Sequence, residues 1–453
     1  MRKVLGGLTA LAVCCLALTT LAAPGQATAT PRPRSHVSNA QAQDIKAQIR
    51  NGTAASTTRV LDYCASHNLH CQAQLLGKQK SSAPLSSYTP IGYGAKDLES
   101  AYGLTSAGST TGTIAIVDAG AYPLAASDLG VYRRQYGLPA CTKASGCFTV
   151  RTYDNKAERK PATSETGKEI EEEVAVETAL DLDMASAACP KCKLLLLQLP
   201  PIDAYADSTK QLHAAEDHFA AAVQTAKSRG AKAVSISYGY PSDSYDATGS
   251  PATKMNVTGM TVAASTGDYG YNGLYPPWPQ VLPSVVAVGG TELSQSSNGA
   301  WHDAVWDGGG SGCSAGLTKP AYGQPASISA LCNGYRASAD VSAVADPQTG
   351  VAVYDTYAPS SNFPNEWIVV GGTSASAPLV AGIAVRAGVP ASVHGPNRLY
   401  QKPASAFRDV VAGGNAPKGV CSSDGVSERL CFADDGWDGP TGRGVPRGLV
   451  TFN

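Results

Sequence analysis

The sequence has no excess of either charge: 35 basic side chains stand against 36 acidic ones, a formal charge of −1. That balance excludes a polybasic face for nucleic acid or anionic lipid. After Ala22 no apolar run is long enough to cross a bilayer, so no stable membrane association is expected. No internal repeat is evident. Histidine is scarce, with seven in the chain: His36, His67, His70, His213, His218, His302 and His394. What remains is an ordinary globular balance of 43% hydrophobic and 16% charged residues over 453 positions. That length suits one large domain or two to three average ones.

Compartment is written at the N-terminus. Arg2 and Lys3 precede an apolar run from Val4 to Ala22, with small residues at Ala22-Ala23 and Ala27-Thr28-Ala29. This is the layout of a secretory signal peptide, so residues 1–29 are expected to be a signal and the protein to be secreted and extracellular. Residues 30–87 are polar at both ends around a helical stretch, Ala40 to Arg50. They read as a short, largely flexible leader or pro-segment, too small for a core of its own. The main domain is expected over residues 88–453. Beyond Cys14 and Cys15 the cysteines fall into close pairs: 64/71, 141/147, 189/192, 313/332 and 421/431. An even set in a secreted chain reads as disulfides, here between neighbours. Cys189-Pro-Lys-Cys192 also has redox or zinc spacing, but it has no second such motif and no nearby histidine.

Along the main domain, apolar strands alternate with helical stretches. Thr113 to Gly120 is a strand ending in an acid and a glycine, followed by a helix from Asp128 to Tyr136. Glu169 to Ala188 has helical periodicity, Lys193 to Leu199 is a strand, and His213 to Arg229 is an amphipathic helix closed by Gly230. Further strands are read at Ala233 to Ser237, Thr261 to Ala264 and Ser284 to Val288. Such alternation predicts an α/β fold with a parallel sheet covered on both faces. Reactive groups in these sheets collect at the carboxyl ends of strands, where Asp118, Ser237, Asp268 and Ser374 fall.

Ser374 stands out. An apolar run from Trp367 to Val370 leads into Gly371-Gly372-Thr373-Ser374, and Ala377 to Val385 is a small, apolar helical stretch with Pro378 in its first turn. A serine between strand and helix meets free backbone N–H groups and the positive end of a helix dipole. A helix cap is the plainer reading of Gly-Thr-Ser alone, and a nucleophile needs a base. No histidine outside the leader opens a helix in a His-Gly-Thr segment, and His213 and His218 read as a solvated helix face. Asp118 then reads as a structural loop aspartate. Carboxylates offer another base. Glu177 and Asp181, four apart on one helix, share a face, and a shared proton there would raise one pKa. Ser265-Thr266-Gly267-Asp268 ends a strand with an acid that, when protonated, can donate to an oxyanion. Its alternative is a turn aspartate bonding its own backbone.

Together these segments resemble the sedolisin family, the serine-carboxyl peptidases. The similarity runs from about Tyr93 to the C-terminus and includes Ala287-Val288-Gly289-Gly290-Thr291 and Asp340 to Pro347. The resemblance implies a subtilisin-like three-layer α/β fold, with a central, mostly parallel sheet flanked by helices. It also implies acid-optimal endo- or exopeptidase activity on protein or peptide substrates. The matching positions assign Ser374 as nucleophile, Glu177 as base, Asp181 as the group orienting Glu177, and Asp268 as oxyanion donor. Asp409-Val410 and Asp434 to Asp438 resemble the family's site for one structural Ca²⁺. There Asp409 and Asp438 would supply carboxylates, and Val410, Asp434 and Gly436 main-chain carbonyls. Where family members often have glycine, Asp434 adds a carboxylate that joins or crowds the site. A large prodomain typical of the family has no counterpart before Ser87, which leaves the mode of latency open. The expected protein is a monomer. Two other readings are a Ser-His-Asp protease using Asp118, and a secreted binding protein that keeps the fold without catalysis.

Overall fold

The computed structural model describes residues 37–79, 84–104, 110–242, 249–357 and 366–453. The expected signal peptide, residues 1–29, lies outside them.

The elements that position the site are four helices and twelve strands. The helices are α1 (Asn39–Arg50), α2 (Glu165–Ala188), α3 (Thr209–Ser228) and α4 (Thr373–Ala387). The strands are β1 (Thr58–Leu61), β2 (Gln74–Lys78), β3 (Thr113–Ala119), β4 (Phe148–Thr152), β5 (Lys193–Leu199) and β6 (Ala231–Ile236). They continue as β7 (Thr261–Ser265), β8 (Val286–Gln295), β9 (Trp301–Val305), β10 (Val341–Val344), β11 (Val351–Asp355) and β12 (Glu366–Gly371). The main sheet runs β9-β8-β7-β6-β3-β5-β4, with β10 also beside β8. All its pairings are parallel except the β8–β9 hairpin. This is the expected subtilisin-like α/β arrangement. Apolar runs such as Ile114 to Val117 and Leu194 to Leu197 are buried throughout, as strands covered on both faces must be.

Two helices meet beside the sheet. The Ser164 hydroxyl caps α2 by accepting from the Gly167 N–H at 3.2 Å. From Val174 to Ala188 every residue of α2 is buried, as is every residue of α4. Gly382 sets their approach: a Cβ there would lie 2.5 Å from Ala188 Cβ. The similar segments 287–291 and 340–347 turn out to be neighbours. Val341 pairs with Val288 and Val344 with Thr291, and the Asp340 carboxylate accepts from the Ala287 N–H at 2.8 Å.

One expectation changes. The strand before Ser374 lies outside the main sheet, in a second, antiparallel sheet ordered β1-β2-β12-β11. Its partner β2 comes from the segment read as a largely flexible leader. Where described, that segment is folded: α1 buries Ala42, Ile45 and Ile49 into the same core as the main sheet. All five neighbour disulfides form as expected, including Cys64–Cys71 and Cys189–Cys192. Among the described residues no helix is long and apolar enough to cross a membrane.

Candidate active site

Ser374 sits in the first turn of α4, fully buried. Gly372 makes the corner from β12, with φ of 102°. A Cβ at Gly372 would fall 2.1 Å from the Gln72 carbonyl oxygen and 2.5 Å from Asp268 Oδ2, so glycine is required twice over. The sequence placed the helix start at Ala377, with Pro378 in its first turn. Instead α4 begins at Thr373 and Pro378 lies inside it. Lacking an N–H, Pro378 leaves the Ser374 carbonyl without its helical donor, and the Ser237 hydroxyl stands 3.5 Å from that carbonyl.

The paired acids are where their spacing put them, on the buried face of α2 next to Ser374. Ser237 Oγ, just past β6, donates to both oxygens of Asp181, at 2.8 and 2.9 Å. Burial holds the Glu177 carboxyl well above the usual carboxylate range. The charge of Asp118 adds to that, while the hydroxyls of Ser374 and Ser237 pull it back. Burial likewise raises Asp181, and Asp118 and Glu177 add to it. The Ser374 hydroxyl itself donates to the Ser237 carbonyl, at 3.4 Å. Asp118 is no loop aspartate. It belongs to β3, is 1% exposed, and burial pushes its pKa to about 7. Three acids therefore share one desolvated volume, in which burial and mutual repulsion favour their protonated forms. The signal for Asp118 was its place at a strand's carboxyl end.

Asp268 completes the set from the loop after β7. Its Oδ1 accepts from the Thr373 N–H at 2.8 Å and the Thr373 hydroxyl at 2.9 Å. Its Oδ2 is buried without a partner. Burial lifts its pKa to about 8 against those two bonds, so in acid the group is neutral and Oδ2–H is a free donor. Asp268 also lines a cavity of about 380 Å³, together with residues that include Val60, Gln74, Trp306 and Asp307.

Among the described residues no histidine hydrogen-bonds to Ser374. His67 bonds the Tyr63 carbonyl, His70 that of Ala206, and His218 the Asp203 carboxylate. The sulfurs of Cys64 and Cys71 cluster with the Glu177 carboxylate. Both sulfurs are spent in a disulfide, so the trio is no metal site.

The residues read as a calcium site also come together. Asp438 is fully buried and accepts from the Thr441 N–H and hydroxyl at 2.8 and 2.9 Å, and from the Asp434 N–H at 3.3 Å. Asp409 Oδ2 accepts from the Gly436 N–H at 2.9 Å. Burial raises Asp438 to about 7, and the nearby charge of Asp409 adds to it. Carboxylate oxygens are hard donors of the kind a divalent cation takes. The Asp434 carboxylate pairs with Arg429 at 2.8 Å, which leaves that residue its main-chain carbonyl. The extra acid neither joins nor crowds the pair.

Gln72 is a participant the sequence did not announce. Its N–H lies 3.2 Å from Ser374 Oγ, and its carbonyl accepts from the Ser374 N–H at 3.0 Å.

The subtilase family profile matches residues 184–388. Kumamolisin from Bacillus sp. (strain MN-32) is 32% identical over 305 residues, covering 60% of this chain and 49% of that protein. Sedolisin from Pseudomonas sp. (strain 101) is 28% identical over 250 residues, covering 47% of this chain and 39% of that one. The chain thus spans about half or less of the length of these relatives. A solved structure of Pseudomonas sedolisin, a serine-carboxyl proteinase complexed with two molecules of pseudo-iodotyrostatin, has a TM-score of 0.57. It is 22% identical, and the likeness covers 79% of this chain and 96% of that one. Over the matched part the chain is similar to the sedolisin-family serine peptidases, and it shares their subtilisin-like fold.

Proposed function

We propose that this protein is a secreted serine-carboxyl endopeptidase that hydrolyses peptide bonds in proteins, working best in acid. The observation that carries the reading is the burial of Ser374 among Glu177, Asp181 and Asp268, with no histidine bonded to the serine among the described residues. Ser374 attacks the scissile carbonyl as Glu177 takes its proton. Asp181, held by Ser237, orients Glu177 and shares its proton. The developing oxyanion is met by the Ser374 N–H and the neutral Asp268 carboxyl. The neutral Asp268 donor is present on the acid side of about 8 and is lost above it.

Secretion agrees with the five disulfides. The protein is proposed to act as a monomer. Asp409 and Asp438, with the carbonyls of Val410, Asp434 and Gly436, would hold one Ca²⁺. That ion would supply structural charge neutralisation for the two carboxylates.

A peptide-library digest between about pH 3 and 8 tests the reading. Ser374→Ala and Glu177→Gln are each expected to abolish cleavage with the fold intact by circular dichroism. Full activity of Glu177→Gln at about pH 4 would exclude Glu177 as base. A limb governed by a group near ~6.5 would point to histidine instead.

A further inference from the structure

The cavity that Asp268 lines is more acidic than an oxyanion donor requires. Asp307 and Asp346 line it as well, and none of the described residues lining it is basic. Asp346 is only 9% exposed. Its Oδ1 accepts from the Gln348 N–H at 2.8 Å, and its other oxygen takes no hydrogen bond from the described residues. Asp307 is exposed, and no described side chain pairs with it. Burial pushes Asp346 to about 7 against the Gln348 N–H, and the charges of Glu292 and Asp307 add to the rise. Carboxylates placed this way are stabilised when a positive group enters beside them. The cavity lacks only a counter-charge.

The rest of the lining suits a long stem. Trp306 is 5% exposed, and its indole rests against two glycines. A Cβ on Gly308 would lie 2.4 Å from Trp306 Cζ2, and one on Gly290 2.7 Å from Cε3. With Val60 it gives the cavity apolar surface. Lysine and arginine lay their methylenes along such surface while the charged head stays among polar groups, and an indole face attracts the cation itself. Strand register says which substrate residue arrives here. The Gln72 carbonyl accepts from the Ser374 N–H at 3.0 Å, which marks the path of an extended peptide across the serine. Two residues on, the Gln74 side chain lines the cavity, and its Nε2 donates to the Asp268 carbonyl at 3.4 Å. Side chains alternate along an extended chain. A substrate on that path therefore presents the second residue after its scissile bond.

We infer that this cavity is a specificity pocket for lysine or arginine at the second position after the scissile bond, and that Asp307 and Asp346 select it. The inference rests on the peptidase reading of Ser374. The cationic head meets the two carboxylates and the stem lies along Trp306. An acidic side chain at that position meets like charge and is rejected. The substrate class is then narrower than proteins at large: chains with a basic residue on the leaving-amine side of the cut.

Three peptides test this, built on one sequence that the full chain cuts and differing only in Lys, Gln or Glu at that position. Rates are read at about pH 5, and each cut is located by mass spectrometry. Expected is a kcat/KM for the Lys peptide above that for the Glu peptide by about 10- to 100-fold, with Gln between them. Asp307→Asn combined with Asp346→Asn, which keeps the acceptor for the Gln348 N–H, should bring that ratio close to one. Asp307→Lys, at an exposed position, should turn the preference toward Glu with an unchanged melting curve, which keeps the test open if the double variant fails to fold. Equal rates for the three peptides in wild type, or a Lys preference that survives these substitutions, would overturn the pocket and leave the peptidase reading standing. A chain for which no peptide library yields a cut sequence would overturn both.

Discussion

At Asp268 one carboxyl oxygen is held by Thr373 and the other is free. That asymmetry gives a test at the scale of a single atom. Asp268→Ala removes the proposed oxyanion donor and is expected to cut kcat by about 10²- to 10³-fold. Asp268→Asn keeps an acceptor for Thr373 and presents an N–H at every pH. It is expected to retain a large part of the rate and to lose the decline that wild type shows as Asp268 ionises near 8. Initial rates against pH for the three proteins settle it, and an identical decline in Asp268→Asn would assign that limb to another group. Glu177 and Asp181 were legible because a four-residue spacing on a helix is a local signal. Asp118 was misread because its environment depends on a helix some fifty residues later, whose acids it faces. Gln72 was not legible at all. Nothing in a glutamine after a cysteine announces that it will lie on a serine 302 positions away.

Among the elements, the contact between α2 and α4 decides whether the proposed base, Glu177, and the proposed nucleophile, Ser374, meet, since each helix carries one of them. Gly382 is the narrow point: beyond Ala188 Cβ, a Cβ there would lie 3.2 Å from the Ala185 carbonyl. Gly382→Leu is expected to destabilise by about 1–3 kcal/mol through overpacking. It should lower kcat with little change in KM, because Ser374 is levered from Glu177 while the cleft walls stay in place. Thermal melts and steady-state kinetics together check it, and unchanged kinetics in a destabilised protein would separate packing from alignment. The main sheet was readable from strand–helix alternation, with boundaries shifted by a few residues. The second sheet was not. Strand β12 pairs with β2 across a long span of chain, and sequence carries no local trace of a pairing made that far away. Helix α4 was misjudged at its start because a proline was given more weight than burial, and tertiary packing tolerates Pro378 inside it.

For the molecule as a whole, its buried acids set how stability follows pH. Asp118, Asp346 and Asp355 are pushed to about 7 and Asp268 to about 8, all chiefly by burial. Each folded pKa lies above its unfolded value of about 3.9. Between these values the native state binds more protons than the unfolded one, so stability falls as pH rises. Melting temperature is expected to be highest near pH ~4, to decline toward ~8 and then to level off with respect to these groups. A rising melting temperature over that interval would mean the acids are ionised in the fold. Chelation at constant pH is a separate measurement: if Asp409 and Asp438 hold Ca²⁺, excess chelator should lower the melting temperature. An unchanged curve would count against the ion. The placement of β2 has one more consequence, for the way this protein fails. Strand β12 carries Trp367, Ile368, Val369 and Val370 between its two neighbours. Ser86 and Ser87 pair with Ile368 and Trp367, while β2 pairs with Val370 and Gly371, so without β2 the Val370–Gly371 end would be an open edge able to recruit other chains. Trimming the chain as far as Lys78 would bare that short end, at the corner leading to Ser374, to pairing with other chains.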